Sequence, residues 1–343
     1  MRILAIETSC DETAAAIVEV ENYLPKIITH AVASQIEIHS ATGGVIPNLA
    51  ARLHVENLPV ILKKATENNR ERFDAVAVTT GPGLIGALLM GVTAAKAIAS
   101  TKNIPFYSIN HLEGHIYSAW LAPKNSKKFA PPQLPALIVI VSGGHTELVL
   151  MHRHGYFETL GSTRDDAAGE AFDKVARLLD LPYPGGPEIS KLAQHGDRHA
   201  YKLPISFNDD YSLEFSFSGI KAHVANIINK LPKPIPAHVK ADIAASFEHT
   251  VAETISLKTV NALEQFPGIK SVCLVGGVAA NTYLRSFLEQ KINQSRPQVA
   301  FITAPLEYCT DNAAMVGASA IFRHLFGHAD DWRSVEVDPN KAI

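Results

Sequence analysis

Apolar and polar positions alternate in blocks along this chain. Residues 3–7 form a short β-prone apolar run, residues 8–13 are small and polar, and residues 14–20 are apolar again. Two such runs around a polar turn predict a β-hairpin. The same unit begins a second time: residues 136–141 read as a strand, Ser142-Gly143-Gly144-His145-Thr146 as a turn, and residues 147–151 as the returning strand. Each copy is followed by strand and helix signals, among them residues 73–79 entering Gly81-Pro82-Gly83 and residues 271–275 entering Gly276-Gly277. Strands alternating with helices predict an α/β architecture with mixed sheets. Near the end, residues 311–326 are Ala-rich with apolar positions at helical spacing, which predicts a packed helix.

A duplicated α/β unit whose first hairpin carries a polar turn points to the two-lobed actin, Hsp70 and sugar-kinase (ASKHA) class, with a nucleotide cleft between the lobes. A single doubly wound domain is the competing arrangement. The expected division puts residues 1–132 and 311–343 in the first lobe, to which the C-terminal helix returns, and residues 133–310 in the second. Residues 121–134, with Lys124, Lys127, Lys128 and Pro131-Pro132, read as the linker and as the clearest basic cluster. Residues 204–236, with Ser216-Phe217-Ser218-Gly219 inside, read as an irregular insertion in the second lobe.

Length and composition agree with this picture. A chain of 343 residues suits two ordinary domains, and 47% hydrophobic against 19% charged residues describes an ordered globular protein. The formal charge of −3 gives no global attraction to nucleic acid, so an RNA substrate needs a local patch or partner proteins. Cys10, Cys273 and Cys309 are odd in number and far apart, which argues against a disulfide framework and for a reducing compartment, the cytoplasm by default. The first residues turn acidic too early for a signal peptide, and no apolar run is long enough to span a membrane.

The sharpest chemical signal is His111-Leu112-Glu113-Gly114-His115. On a helix, imidazoles four residues apart share a face and can reach one metal ion, although two nitrogens are an incomplete site. Histidines that only hydrogen-bond in the core are the bland alternative. Asp311, at the start of the predicted last helix, is the candidate third ligand, and its alternative role is that of an N-cap.

Two glycine loops follow strands. Ser142-Gly143-Gly144-His145 exposes backbone N–H groups that can approach phosphate oxygens, and Gly276-Gly277-Val278-Ala279-Ala280-Asn281 reads as opening a helix whose N-terminus favours an anion. Tight turns are the simpler explanation for either, and neither is a Walker A or a G-x-G-x-x-G sequence. Residues 165–174 place carboxylates on an Ala-rich helix, where Asp166, Glu170 and Asp173 would share a face open to ribose hydroxyls or a metal; a solvated helix start explains them equally. Pro184-Gly185-Gly186-Pro187 reads as a rigid turn, and Asp11 and Glu12 sit in the first hairpin turn, close to where this fold class places a carboxylate for phosphate chemistry.

These motifs taken together, with Glu7-Thr8-Ser9-Cys10-Asp11-Glu12-Thr13, Ser216-Phe217-Ser218-Gly219-Ile220-Lys221 and Cys309-Thr310-Asp311-Asn312, resemble the bacterial TsaD family over nearly the whole chain. The resemblance implies transfer of a threonylcarbamoyl group from threonylcarbamoyl-AMP to the exocyclic amine of the adenosine beside the anticodon in ANN-decoding tRNAs, with release of AMP. It implies that His111, His115 and Asp311 hold one divalent metal, iron or else zinc, and that Ile140, Val141, Ser142, Gly143, Gly144, Asp173, Gly186 and Asn281 bind the adenylate. It also implies a TsaB-like paralogue and a TsaE-like ATPase as partners. Asp11, Glu12 and His145 are the candidates for proton handling or carbonyl orientation.

Three rivals are weighed against this. A metalloprotease of the zincin type needs its glutamate directly after the first histidine, whereas Glu113 comes one position later and points elsewhere on a helix. A small-molecule kinase of the same fold would hold Mg²⁺ through carboxylates and waters rather than an imidazole pair. A non-catalytic binding module would have lost ligands that are all present here.

Overall fold

The computed structural model describes residues 1–67, 73–124, 129–208 and 211–343. Lys127 and Lys128 of the expected basic linker lie outside the described residues. Two compact units divide the chain: residues 1–131, 153–156 and 304–343 form one, and residues 132–152 and 157–303 the other.

In the first unit, β1 (Arg2–Glu7), β2 (Glu12–Glu21) and β3 (Leu24–Ser34) form an antiparallel meander. Helices α1 (Ile36–Ser40) and α2 (Pro47–Glu67) follow, then β4 (Ala75–Gly81), α3 (Ile85–Lys102), β5 (Phe106–Asn110) and α4 (His111–Tyr117). The sheet order is β3-β2-β1-β4-β5, with β1, β4 and β5 parallel. Residues Ile3, Leu4, Ala5 and Ile6 are fully buried, which is why β1 reads as a continuous apolar run instead of alternating.

The second unit repeats the plan. It contains β6 (Ala136–Val141), β7 (Thr146–Arg153), β8 (Tyr156–Ser162), α5 (Ala168–Leu178), α6 (Gly185–Ala193), α7 (Ser218–Lys230), α8 (Ala237–Gln265), β9 (Ser271–Val275), α9 (Thr282–Ser295) and β10 (Ala300–Thr303). Its sheet runs β10-β9-β6-β7-β8, so β6 takes the place of β1, β9 that of β4 and β10 that of β5. The duplicated arrangement therefore holds, and the single doubly wound domain does not.

Helix α10 (Ala313–Phe326) then packs on β1, β2, β3 and α4 of the first unit. Its small residues allow the close approach: a Cβ on Gly317 would run into the Val18 side chain.

Four expectations of local structure need correction. Glu12 is the first residue of β2, not part of the turn. Asp165 and Asp166 precede α5, because Asp165 is drawn to the Ser216–Ser218 backbone and side chains and Asp166 to Lys174 and Lys221. Gly185 and Gly186 open α6 rather than form a rigid turn, and residues 204–236 are not irregular throughout, since α7 lies within them.

His154, grouped with the first unit, stacks on Phe322 and Phe326 of α10 with ring centroids 4.2 and 5.0 Å away. Its Nδ1 is buried with no hydrogen-bond partner, and burial holds the imidazole at about 4 against an ordinary 6.5. Between those values the unfolded chain binds a proton that the folded chain does not, so stability is lost as pH falls from about 6.5 to about 4. His154→Phe keeps the stack and removes the proton site. Thermal midpoints followed across that window fall less steeply for the variant than for the parent chain; parallel curves would refute the assignment.

Candidate metal and nucleotide sites

Strand β5 ends at Asn110, and α4 begins at the next residue. The Asn110 side-chain oxygen accepts from Leu112 N at 2.8 Å, which caps α4 and fixes where its first turn starts. His111 and His115 therefore project from the same face, with ring centroids 4.7 Å apart. Gly114, between them, lets α10 come close, because a Cβ there would stand 3.2 Å from Met315 Cγ.

That approach delivers Asp311. Its Oδ1 lies 3.4 Å from His111 Nε2 and 3.2 Å from His115 Nε2, and ligand atoms of the three side chains lie within 4.8 Å of one another. The alternative role for Asp311 fails: Asn312 is the N-cap of α10, its oxygen accepting from Met315 N at 2.9 Å. Asp311 is thus left free for other work, with about a fifth of its side chain open to solvent (20%).

The donor set fits a divalent transition metal. Both ring nitrogens of His115 are buried without a well-formed hydrogen bond, Nε2 having only its 3.2 Å approach to Asp311 Oδ1, a condition that costs about 1–3 kcal/mol per group unless something else satisfies it. A cation between the imidazoles and Asp311 would satisfy Nε2. Two nitrogens and one oxygen leave coordination positions open, as a catalytic site requires.

Behind His111 stands a carboxylate that sequence reasoning missed. Glu7 is fully buried, with Oε2 3.6 Å from His111 Nδ1, while Ser9 Oγ lies 3.2 Å from the same nitrogen. Ser9 N donates to Glu7 Oε1 at 2.6 Å, and Thr79 Oγ1 donates to Oε2. Burial alone would raise the Glu7 carboxyl, but His111 outweighs it and holds the group below the ordinary carboxylate range. Burial likewise opposes a charged His111, yet Asp311 and Glu7 raise its imidazole well above the ordinary value. A buried carboxylate on the far ring nitrogen is the usual way a metal-binding histidine is oriented.

Asp11 and Glu12 belong to the same unit. Ser34 Oγ donates to Glu12 Oε1 at 3.2 Å; burial, then the charges of Asp311 and Asp11, push the Glu12 carboxyl up to about 10. Glu113 turns the other way. Its Oε2 accepts from Ser319 Oγ of α10 at 3.4 Å, and while burial raises its carboxyl, Arg323 and Lys341 act to lower it.

In the second unit, Ser142 and His145 close a tight turn, Ser142 N donating to His145 O at 2.8 Å and His145 N to Ser142 Oγ at 3.1 Å. Gly169 N, at the start of α5, donates to Ser142 O at 3.2 Å. Gly276 has φ +93°, and a Cβ there would collide with the Val141 carbonyl, so the two glycine loops lie side by side. Asp173 Oδ1 accepts from Gly185 N at 2.7 Å.

Around Gly143, Gly144, Gly186 and Gly277, by contrast, an added Cβ would meet nothing within 4 Å, and none has a left-handed backbone. Neither packing nor conformation explains glycine at these four positions, and the space beside their backbone is open. Ile140 and Val141 are fully buried, so their side chains cannot be part of such a surface. The Gly276–Gly277 loop leads into a 3₁₀ turn, Gly277–Ala280, and helix α9 starts only at Thr282. Asn281 caps it, its Oδ1 accepting from Leu284 N at 2.8 Å while Nδ2 donates to Ser190 Oγ and Glu248 Oε1, each at 2.9 Å.

The family model described as TsaD, tRNA N6-adenosine threonylcarbamoyltransferase, matches residues 26–318. The chain belongs to the TsaD family. A tRNA N6-adenosine threonylcarbamoyltransferase of Bacillus licheniformis is 47% identical over 320 residues, covering 92% of this chain and 90% of that protein. One of Caldicellulosiruptor saccharolyticus is 43% identical over 340 residues, covering 98% and 97%. Among solved structures, full-length HypF in its phosphate- and nucleotide-bound form matches 95% of this chain with TM-score 0.59 and 16% identity, and T. kodakarensis HypF 94% with TM-score 0.61 and 13% identity. The chain spans about half of each HypF chain (47% and 48%), and at that identity the likeness concerns the fold alone, which is of the ASKHA type.

For a TsaD chain, the orientation of Glu113 has a direct consequence. Glu113→Gln leaves transfer within about threefold of the parent, since the carboxylate faces Ser319 and not the His111–His115 pair. Steady-state rates check this; a loss of two orders of magnitude would make Glu113 the proton-handling group of a zincin-like site.

Proposed function

We propose that this TsaD transferase forms threonylcarbamoyladenosine in tRNA by moving the threonylcarbamoyl group of threonylcarbamoyl-AMP to the exocyclic amine of the adenosine beside the anticodon of ANN-decoding tRNAs. The amine nitrogen bonds to the carbamoyl carbon, the bond from that carbon to the phosphate oxygen breaks, AMP leaves with the electron pair, and the amine gives up a proton. The observation that carries this reading is the buried His111, His115 and Asp311 cluster within a chain that matches the family from residue 26 to residue 318.

His111, His115 and Asp311 would hold the metal, iron(II) in our reading with zinc(II) as the alternative. When bound, such an ion supplies Lewis-acid polarisation of an acyl carbonyl. Glu7 and Ser9 orient the His111 ring. We assign the adenylate to the second unit, where the backbone from Ile140 through Val141, Ser142 and Gly143 to Gly144, with Asp173, Gly186 and Asn281, would bind its phosphate and ribose; the open faces of Gly143, Gly144, Gly186 and Gly277 support this. Asn281 can offer only the remaining lone pair of Oδ1, because both donors are already used.

Asp11, Glu12 and His145 remain the groups to test for accepting the amine proton. A carboxyl held protonated, as burial holds Glu12, cannot accept one until it ionises, which favours Asp11 or His145. Partners of the TsaB and TsaE kinds and a cytoplasmic setting belong to the same reading. A net charge of −3 supports borrowed tRNA affinity, and no helix among the described residues is long and apolar enough to cross a membrane.

The test is direct. Purified chain, threonylcarbamoyl-AMP, unmodified tRNA and the expected helper proteins are incubated, and the RNA is digested to nucleosides for mass spectrometry. Threonylcarbamoyladenosine and an equal yield of AMP support the reading; hydrolysis of polypeptide with no modified nucleoside would favour the protease.

A further inference from the structure

The end of the chain closes on the start of the metal helix. Asp338 N donates to Thr80 O at the end of β4 (2.9 Å), Lys341 Nζ to Thr80 Oγ1 (2.9 Å), and Gly83 N to Pro339 O (3.2 Å). The Asp338 carbonyl occupies the space that a Cβ on Gly81 would need, so the strap lies directly on the β4 backbone. Asn110 completes the contact. It is 3% exposed, its oxygen caps α4 through Leu112 N, and its Nδ2 donates to the carbonyls of Lys341 (3.2 Å) and Ala342 (2.9 Å).

One buried amide is thus shared between two elements: its acceptor begins α4, and its donors hold the strap. All of its strong hydrogen-bonding groups are engaged, so its rotamer is determined from both sides. Since Asn110 directly precedes His111, its placement sets the phase of the first turn, on which both imidazoles depend. The match to the family model ends at residue 318, so the strap lies beyond it.

We propose that Asn110 and the strap from Asp338 to Ala342 are positioning residues of the metal site, aligning His111 and His115 with Asp311 without touching the ion. This rests on the metal reading given above. The strap acts as a clamp on the helix rather than as a ligand, and its loss widens the range of directions that the two rings sample.

Cobalt(II) serves as the probe, with affinity read by competition against a chelator, site geometry by its visible d–d absorption, and folding by the thermal midpoint of the metal-free protein. Asn110→Ser keeps a capping oxygen but removes both donors to the strap; deletion of residues 338–343 removes the acceptors and leaves Asn110 intact. Each change weakens cobalt binding about tenfold and alters the d–d spectrum, as for other groups that orient metal ligands. Combined, they weaken it by little more than either alone, because the strap reaches Asn110 only through the amide contact that both changes break. Unchanged affinity and spectrum in folded Asn110→Ser overturn the proposal, as do losses that multiply. A parent chain that takes up no cobalt overturns the metal reading, whereas a parent that binds beside variants that bind equally well overturns the clamp alone. Should the deletion fail to fold, Asn110→Ser still decides.

Discussion

His111→Ala combined with His115→Ala yields a folded chain that retains no divalent metal and transfers threonylcarbamoyl at least about a thousandfold more slowly. The magnitude follows from the Lewis-acid contribution of a bound metal, several kcal/mol of transition-state stabilisation, at about 1.4 kcal/mol per tenfold in rate. The fold survives because α4 keeps its Asn110 cap and its Leu112 and Ile116 core contacts, and because Gly114 still seats α10. Removing both imidazoles leaves Glu7 and Asp311 without their cationic neighbour, so these two carboxyls protonate more readily than in the parent. Metal content by mass spectrometry, circular dichroism and nucleoside yield together check the result. Full transfer by the metal-free double variant would end the metal account.

Gly144→Val and Gly277→Val give the second large effect. An added Cβ at either position meets no atom within 4 Å and needs no left-handed backbone, so stability changes by no more than about 0.5 kcal/mol, as at other open surface positions. Binding of AMP or of a stable adenylate analogue falls at least about a hundredfold, because the branched side chain takes the space in which backbone N–H groups would meet phosphate. Calorimetric titration reads the affinity and thermal unfolding the stability. Unaltered binding in stable variants would move the adenylate away from these loops. Gly276→Val is the contrasting case, since its positive φ and its contact with the Val141 carbonyl make that change one of folding.

What could be read from the chain alone follows the range of the interactions involved. The duplicated sheets were legible because strand patterns and polar turns are local, and the two hairpins carry the same signal. The imidazole pair was legible because four residues on a helix fix a shared face. Asp311 could be named as the third-ligand candidate but not separated from its N-cap alternative; nothing local says that Asn312 takes the cap and releases its neighbour. Glu7 was missed because a carboxylate at the end of an apolar strand looks solvated until β4 supplies Thr79 and α4 supplies His111. Asp166 was placed on a helix by its spacing from Glu170 and Asp173, but Lys174 and Lys221 hold it before the helix begins. The four open glycines were visible as glycines, yet only the surrounding space separates Gly277, which nothing crowds, from Gly276, which the fold requires. The strap on Asn110 had no sequence signal, since its contacts use backbone carbonyls.

The claim on which the account depends most is that one ion sits among His111, His115 and Asp311 while the adenylate lies on the glycine loops. An anomalous difference map from a crystal loaded with iron(II) or zinc(II) and a stable adenylate analogue tests both in one measurement. The account predicts a single strong peak bonded to these three side chains, with analogue phosphate density against Gly143, Gly144 and Gly277. A peak held by other residues, or none at saturating metal, would contradict it.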